Sequence, residues 1–315
     1  MPLEQTTSSI VMIEPEFFNF NADAAKTNSY MKEMTDDGKT AEVRKKAMEE
    51  SENLEKVLRE AGVNVIKFRD TESPHTPDAV FPNNWFSTHS ENGGTVILYP
   101  MLPENRRLER RPDLIEALST EYGFYVKAIV DLSPGEKESE ILEGTGSMVL
   151  DRINKVAYAS KSPRTTEEVL QRFARLMGYE VVLFETKNQL GGNDQIYHTN
   201  VVMSVGEKFA VVCLDAVIEN KDGLVHALES SEHEIIPIDN AQMNAFAGNM
   251  LEVRNNKNES IIVMSESAFQ FLNADQLDRL GKHGKILHVP LETIEKHGGG
   301  SARCMMAEVF LPRKQ

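Results

Sequence analysis

Apolar and polar positions recur along this chain in one repeating order. Two short apolar runs are followed by an amphipathic stretch with helical spacing and then by a further apolar run. Residues 79–86 and 95–99 predict two strands, 106–122 a helix and 124–130 a third strand. The order returns with strands 147–150 and 155–159, helix 165–177 and strand 179–184. A third pass has strands 199–204 and 209–214, helix 221–229 and strand 234–238. A fourth has strands 247–253 and 260–264, helix 267–280 and strand 285–289. The leftover pieces are strand 303–311 at one end and strand 9–13, helix 38–61 and strand 64–68 at the other. Joined across the two termini, they make a fifth unit of the same kind.

Five strand–strand–helix–strand units predict an α/β fold that closes with roughly five-fold symmetry. Closure removes free sheet edges and gathers the starts of the units at a common centre, with the helices outside. Segments 133–140 and 187–194 read as loops and 254–259 as a polar turn. No Pro-, Gly- or Ser-rich linker divides the chain, so residues 1–315 are expected to form a single catalytic domain.

Composition narrows the partners. Lys and Arg total 34 against 49 Asp and Glu, a formal charge of −15, which disfavours nucleic acid and anionic membrane. No apolar run is long enough to span a bilayer, and the first nine residues lack the basic start and apolar stretch of a secretory signal. The expectation is a soluble cytoplasmic protein acting on a small molecule, with its oligomeric state open, self-association included. Two cysteines, Cys213 and Cys304, give neither a disulfide framework nor metal-type spacing.

Cys304 follows His297-Gly-Gly-Gly-Ser-Ala-Arg and opens an apolar run. Consecutive glycines permit positive φ and close approach of a ligand, so the thiol is well presented for nucleophilic attack. Cys213, inside Phe209-Ala-Val-Val-Cys-Leu, has the surroundings of a small core residue. A nucleophilic cysteine needs a base or charged partner. Among eight histidines, His198 stands where an apolar run begins and is aimed at the common centre. His283, His288 and His297 fall near a basic polar segment and read as surface residues, His226 and His233 lie on a helix and its exit, and His75 and His89 flank residues 80–85. Glu143 occupies the equivalent place in its own unit, just before Gly144-Thr-Gly146. Each residue alone has a bland alternative (a core cysteine, a satisfied core histidine, a capping acid). Together they mark the starts of three units.

These features resemble the guanidino-group-modifying superfamily, the penteins, which includes arginine deiminase, dimethylarginine hydrolase, succinylarginine dihydrolase and the amidinotransferases. The chain is most similar to the citrulline-utilisation hydrolases, relatives of arginine deiminase. The resemblance runs nearly end to end. It is carried by residues 15–28, Val80-Phe-Pro-Asn-Asn-Trp-Phe-Ser-Thr-His89, Glu143-Gly-Thr-Gly-Ser, Ser162-Pro-Arg-Thr165, Tyr197-His-Thr-Asn200, Met243-Asn-Ala-Phe-Ala-Gly-Asn249 and Gly298-Gly-Gly-Ser-Ala-Arg-Cys304. It implies a five-fold α/β propeller, with Cys304 as nucleophile and His198 and Glu143 as its catalytic partners. It further implies that Arg164 and Arg106 hold the substrate carboxylate, Arg107 or Arg110 replacing Arg106 if the alignment shifts. No metal or organic cofactor is implied.

Two departures bear on substrate. Where arginine deiminases place acidic residues against the guanidinium, this chain has Asn83-Asn84, and their His-x-Asp is here His198-Thr199-Asn200. A guanidinium only donates hydrogen bonds and is cationic, so carboxylates suit it. A neutral ureido group donates and accepts, as an asparagine amide does. The resemblance and these departures point to hydrolysis of L-citrulline to ornithine, carbon dioxide and ammonia through an S-carbamoyl cysteine, with Asn83, Asn84 and Asn200 at the ureido end. The rivals are an arginine deiminase or dihydrolase, an amidinotransferase, and a silent propeller that only binds its ligand. Asn19, Asn21, Asn28, Asn244 and Asn249 receive no role from the sequence, and Trp85 reads as packing.

Overall fold

A computed structural model describes residues 3–33, 40–190 and 194–314. The first two residues of the expected helix 38–61 and part of the loop 187–194 lie outside that range. Among the described residues the chain is mixed α/β, with its strands in five separate sheets.

Every sheet repeats one plan. A central strand pairs antiparallel with the strand before it and parallel with the strand after it. Thr95–Leu98 lies between Phe86–His89 and Ala128–Asp131. Val156–Ser160 lies between Met148–Asp151 and Glu180–Thr186, and the latter also carries the short antiparallel Val217–Glu219. Phe209–Val212 lies between Met203–Val205 and Glu234–Pro237. Ser260–Ser265 lies between Leu251–Arg254 and Lys285–Val289. Ser9–Ile13 pairs antiparallel with Ala307–Glu308 and parallel with Asn64–Phe68, joining the two ends of the chain.

The parallel pair in each sheet needs a crossover, and a helix supplies it. Glu167–Met177 shows why these segments are helical. Val169, Leu170, Phe173, Ala174 and Met177 form one buried stripe, and Glu167 and Glu168 sit in the first turn. Gly178 ends the helix at φ +70, a left-handed position that costs glycine no Cβ clash. The stripe packs on Met148, Leu150, Ala157 and Ala159 of the sheet beneath. Thr40–Glu60 does the same with Val43, Ala47, Leu54 and Leu58. No described helix is long and apolar enough to cross a membrane.

The structure corrects several expected boundaries, chiefly at the starts of the units. Residues 79–85 are turns with a 3-10 helix at Pro82–Asn84, and the strand begins only at Phe86. Thr199–Val202 is a single helical turn, the strand starting at Met203, and Gly144–Ser147 is another such turn. Of expected strand 303–311 only Ala307–Glu308 is strand, Cys304 lying in a turn where Met305 N–H bonds Ser301 O. Strand 247–253 likewise shrinks to Leu251–Arg254, and 124–130 shifts to Ala128–Asp131. A short apolar run fits a buried helical turn as well as a strand, so alternation could not separate the two. Residues 106–122 are a 3-10 helix, Glu104–Glu109, and an α-helix, Pro112–Thr120, because Pro112 starts a new helix readily but cannot continue one. Residues 267–280 split into Glu266–Phe271 and Ala274–His283, with Asn273 capping the second. The loop 133–140 holds a 3-10 helix, Ser133–Glu138.

Candidate active site

Those helical turns at the unit starts build the site. Glu143 and His198 each occupy the position just ahead of a turn, while Asn83, Asn84 and Cys304 lie within turns. The turns face one another across a small cavity lined by Asn84, Arg106, Arg164, His198 and Cys304. Asn83 and Asn200 are not on its wall. Asn83 braces the turn by donating to Thr145 Oγ1 at 3.2 Å, and Asn200 lies behind the sulfur.

Glycine makes the close approach possible. A Cβ on Gly146 would stand 2.6 Å from Asn84 Nδ2 and 2.7 Å from the His198 ring. Gly144, at φ +47, would bring a Cβ to 2.3 Å from the Asn83 carbonyl oxygen. The motif Gly144-Thr-Gly146 therefore lets the first three units meet.

His198 Nε2 and Glu143 Oε2 are 2.8 Å apart, and both residues are fully buried. The same carboxylate oxygen accepts from Arg164 Nη1 at 3.2 Å and has Arg106 Nη1 3.9 Å away, while Oε1 accepts from the backbone N–H of Leu102 at 3.0 Å. Burial alone would raise the Glu143 carboxyl, but Arg164, His198 and Arg106 together hold it well below the usual carboxylate range. Burial pushes His198 the other way, down to about 4, against the support of Glu143. At neutral pH the pair is thus a carboxylate and a neutral imidazole.

Each arginine is already engaged. Arg106 makes a two-pronged pair with Glu109 (2.8 and 2.9 Å) and donates to Asn84 Oδ1 at 3.0 Å. Arg107 and Arg110 turn away to Met101 O and Glu136, so only Arg106 of that cluster reaches the cavity. Arg164 donates to Glu143, to Thr27 Oγ1 at 3.0 Å and to Ala24 O at 2.7 Å. Residues 24 and 28 thereby form part of the cavity wall.

Sequence reasoning missed Asp78. It is buried, lines the cavity and lies 3.7 Å from Arg106 Nε, its Oδ2 accepting from Asn21. Its Oδ1 has no hydrogen-bond partner among the described residues. Only its place five residues before Asn83, in Asp78-Ala-Val-Phe-Pro, hinted at this. Of the unassigned asparagines, Asn28 donates to Gly299 O at 3.2 Å and Asn249 to Cys304 Sγ at 3.2 Å. Asn244 pairs with Asn188 away from the cavity. His297 is buried against Lys32 O rather than exposed, because the helix Glu292–Gly298 packs under residues 28–32. His89 and His233 are buried in other polar networks, with Ser87 and Asp151.

The family model for N,N dimethylarginine dimethylhydrolase, eukaryotic, matches residues 14–311. The chain belongs to this family. The dimethylarginine dimethylhydrolases and their relatives are hydrolases acting on guanidino C–N bonds, and pentein membership follows. Solved structures match the fold over almost the whole chain. The apo structure of ArgZ, an arginine dihydrolase of the cyanobacterial ornithine–ammonia cycle, superposes with TM-score 0.72 at 19% identity over 97% of this chain. This chain spans only 41% of that longer one. The product-bound N-terminal domain of ArgZ matches 99% of this chain and 100% of its own, with TM-score 0.69 and 18% identity. A dimethylarginine dimethylhydrolase from Pseudomonas aeruginosa, complexed with citrulline, gives TM-score 0.66 and 16% identity over 97% of this chain and 100% of that one. No curated protein sequence matches.

Proposed function

We propose that this family member hydrolyses the ureido carbon of L-citrulline, giving ornithine, carbon dioxide and ammonia, with Cys304, His198 and Glu143 as its catalytic group. The observation that carries the substrate choice is Asn84. It is an amide on the cavity wall, held by Arg106, at a place where a cationic guanidinium would call for a carboxylate. One lone pair of its oxygen and one N–H of its amide are engaged by Arg106 and Asn83, leaving one of each for a ureido group.

In this reading neutral His198 takes the proton of Cys304 as the thiolate attacks the ureido carbon. Glu143 stabilises the imidazolium so formed. His198 then gives the proton to the ornithine nitrogen as the C–N bond breaks, leaving S-carbamoyl Cys304. Neutral His198 next deprotonates a water whose oxygen bonds to the carbamoyl carbon, the C–S bond breaks, the Cys304 sulfur takes the proton back from His198, and the carbamate decomposes to carbon dioxide and ammonia. Arg164 and Arg106 take the amino-acid carboxylate and the unpartnered Asp78 oxygen takes the α-ammonium. The cavity as described is about 10 Å³, room for about one water. Substrate entry therefore displaces residues 24–28, the bond from Arg164 to Ala24 O being exchanged for the substrate carboxylate.

The five sheets of equal plan support reading residues 1–315 as one closed five-bladed propeller with the cavity on its axis. A second reading is an arginine dihydrolase, favoured by the fold likeness to ArgZ and by Asp78 as a free acceptor for a cation. Product analysis by mass spectrometry, with citrulline and arginine supplied separately and Cys304→Ala as control, decides between them. Ornithine from citrulline alone is expected. Ornithine from both substrates favours the dihydrolase, and citrulline accumulating from arginine sinks the asparagine argument.

A further inference from the structure

We infer that Asn249, together with Asn200, forms an amide cradle for the Cys304 thiolate, making Asn249 a catalytic residue of this site. The inference rests on the reading of Cys304 as nucleophile. Asn249 Nδ2 lies 3.2 Å and Asn200 Nδ2 3.4 Å from Cys304 Sγ, two donors reaching one sulfur from two different units of the fold. The remaining polar contact of the sulfur, with Asn200 Oδ1, is long at 3.9 Å and suits only the thiol.

The amide of Asn249 has its orientation fixed by its other bonds. Its Oδ1 accepts from Arg303 N–H at 3.0 Å, and its Nδ2 also donates to Asn200 O at 2.9 Å. The acceptor end is thus turned toward the backbone beside Cys304, and the donor end toward the sulfur. Asn249 is fully buried, so no solvent competes for these bonds. The backbone arrives there through Gly248, where a Cβ would stand 2.3 Å from Val201 O, and through Phe246 at φ +62. Only a glycine at 248 lets this turn lie against the helical turn that carries Asn200.

A buried thiolate is disfavoured unless hydrogen bonds replace its lost hydration. The nearby guanidinium groups of Arg106 and Arg164 are already engaged with carboxylates. Neutral amides supply what is missing. They stabilise the anion without quenching its nucleophilicity through full charge pairing, and they lose less than a buried charged partner would when the sulfur becomes acylated and neutral.

The test is alkylation of Cys304 by iodoacetamide, read at that residue by peptide mass spectrometry across a range of pH. It needs no substrate. The groups facing the sulfur from the cavity are His198, Tyr197, Asp78, Arg106 and Arg164. Behind it, in the crevice that Asn200 lines, are Arg303, Glu308, Arg152 and Glu252. Asn249→Ala changes the identity of none of them, and the high-pH plateau tells loss of the amide from loosening of the backbone it holds at Arg303 and Asn200. The expected result is an upward move of the alkylation midpoint by roughly one pH unit, about tenfold slower reaction at neutral pH, with the high-pH plateau retained. An unchanged midpoint overturns the proposal, and so does a lowered plateau without a midpoint shift, which is what mere loosening of the turn would give. If Asn249→Ala does not fold, Asn200→Ala puts the same question at the second donor. Absence of citrulline turnover in the wild type would sink the substrate reading but leave the midpoint readable.

Discussion

Arg164 donates through Nη2 to the carbonyl oxygen of Ala24 at 2.7 Å, so a group expected to grip substrate is bonded to the protein's own backbone. The same guanidinium also reaches Thr27 and Glu143. It therefore joins the segment over the cavity to the carboxylate beneath it.

Arg164→Lys should consequently weaken two things together. A lysine ammonium cannot span Ala24, Thr27 and Glu143 at once, nor bind a carboxylate in two-pronged fashion. KM is expected to rise by about tenfold to a hundredfold, since a lost charged hydrogen bond is worth roughly 1.5–3 kcal/mol. Limited proteolysis should cut near residues 22–31 faster than in wild type. A raised KM without faster cleavage would show that the arginine does not hold the segment down.

Glu143→Gln preserves size but removes the charge beside His198. In the proposed mechanism the imidazolium then has no counterion during attack, and kcat should fall by about a hundredfold or more. Loss of the carboxylate also lowers the affinity of His198 for protons further, since Glu143 is what raises it. Steady-state rates across pH check this. A kcat within a few-fold of wild type would remove Glu143 from the mechanism.

Gly146→Ala introduces a Cβ that would stand 2.6 Å from Asn84 Nδ2 and 2.7 Å from the His198 ring. Overpacking of this kind costs about 1–3 kcal/mol in stability. Activity should suffer more, because both displaced groups line the cavity. Thermal unfolding and kcat/KM measured on the same preparation compare the two losses. Equal, small effects on both would mean the site tolerates the shift.

The depressed His198 also makes stability depend on pH. In the unfolded chain this imidazole protonates near 6.5, but in the fold only near 4. Between those values the unfolded state binds the extra proton. Its contribution is fully present above about pH 6.5 and is lost as pH falls toward about 4, by roughly 3 kcal/mol at most. Urea midpoints for wild type and His198→Gln should converge or cross over that interval, whereas parallel curves would contradict the assignment.

The sequence revealed the order of elements because the crossover helices have wide apolar stripes and the central strands are continuous apolar runs, as in 167–177 and 209–212. The turns that carry the candidate site residues were not legible as turns. In Thr199-Asn-Val-Val every side chain is buried, so nothing in the pattern of polarity marked a helix rather than a strand. Asp78 escaped notice for a related reason. Its importance lies in an oxygen without a partner among the described residues, and that depends on where Arg106 and Asn21 come to rest. Arg106 itself could be separated from Arg107 and Arg110 only in three dimensions, since all three sit in one basic run.

The pairing of Ile10 with Glu308 and of Val11 with Ala307 sets a timetable for making this molecule. A ribosome releases the Ser9–Ile13 strand well before its antiparallel neighbour, Ala307–Glu308. Until then one flank of that strand waits unpaired. Contacts this distant in sequence carry a large loop-closure entropy and tend to form late. Because Cys304 lies in the turn just before Ala307, the nascent chain holds no thiol beside Asn200 and Asn249 until that turn has emerged.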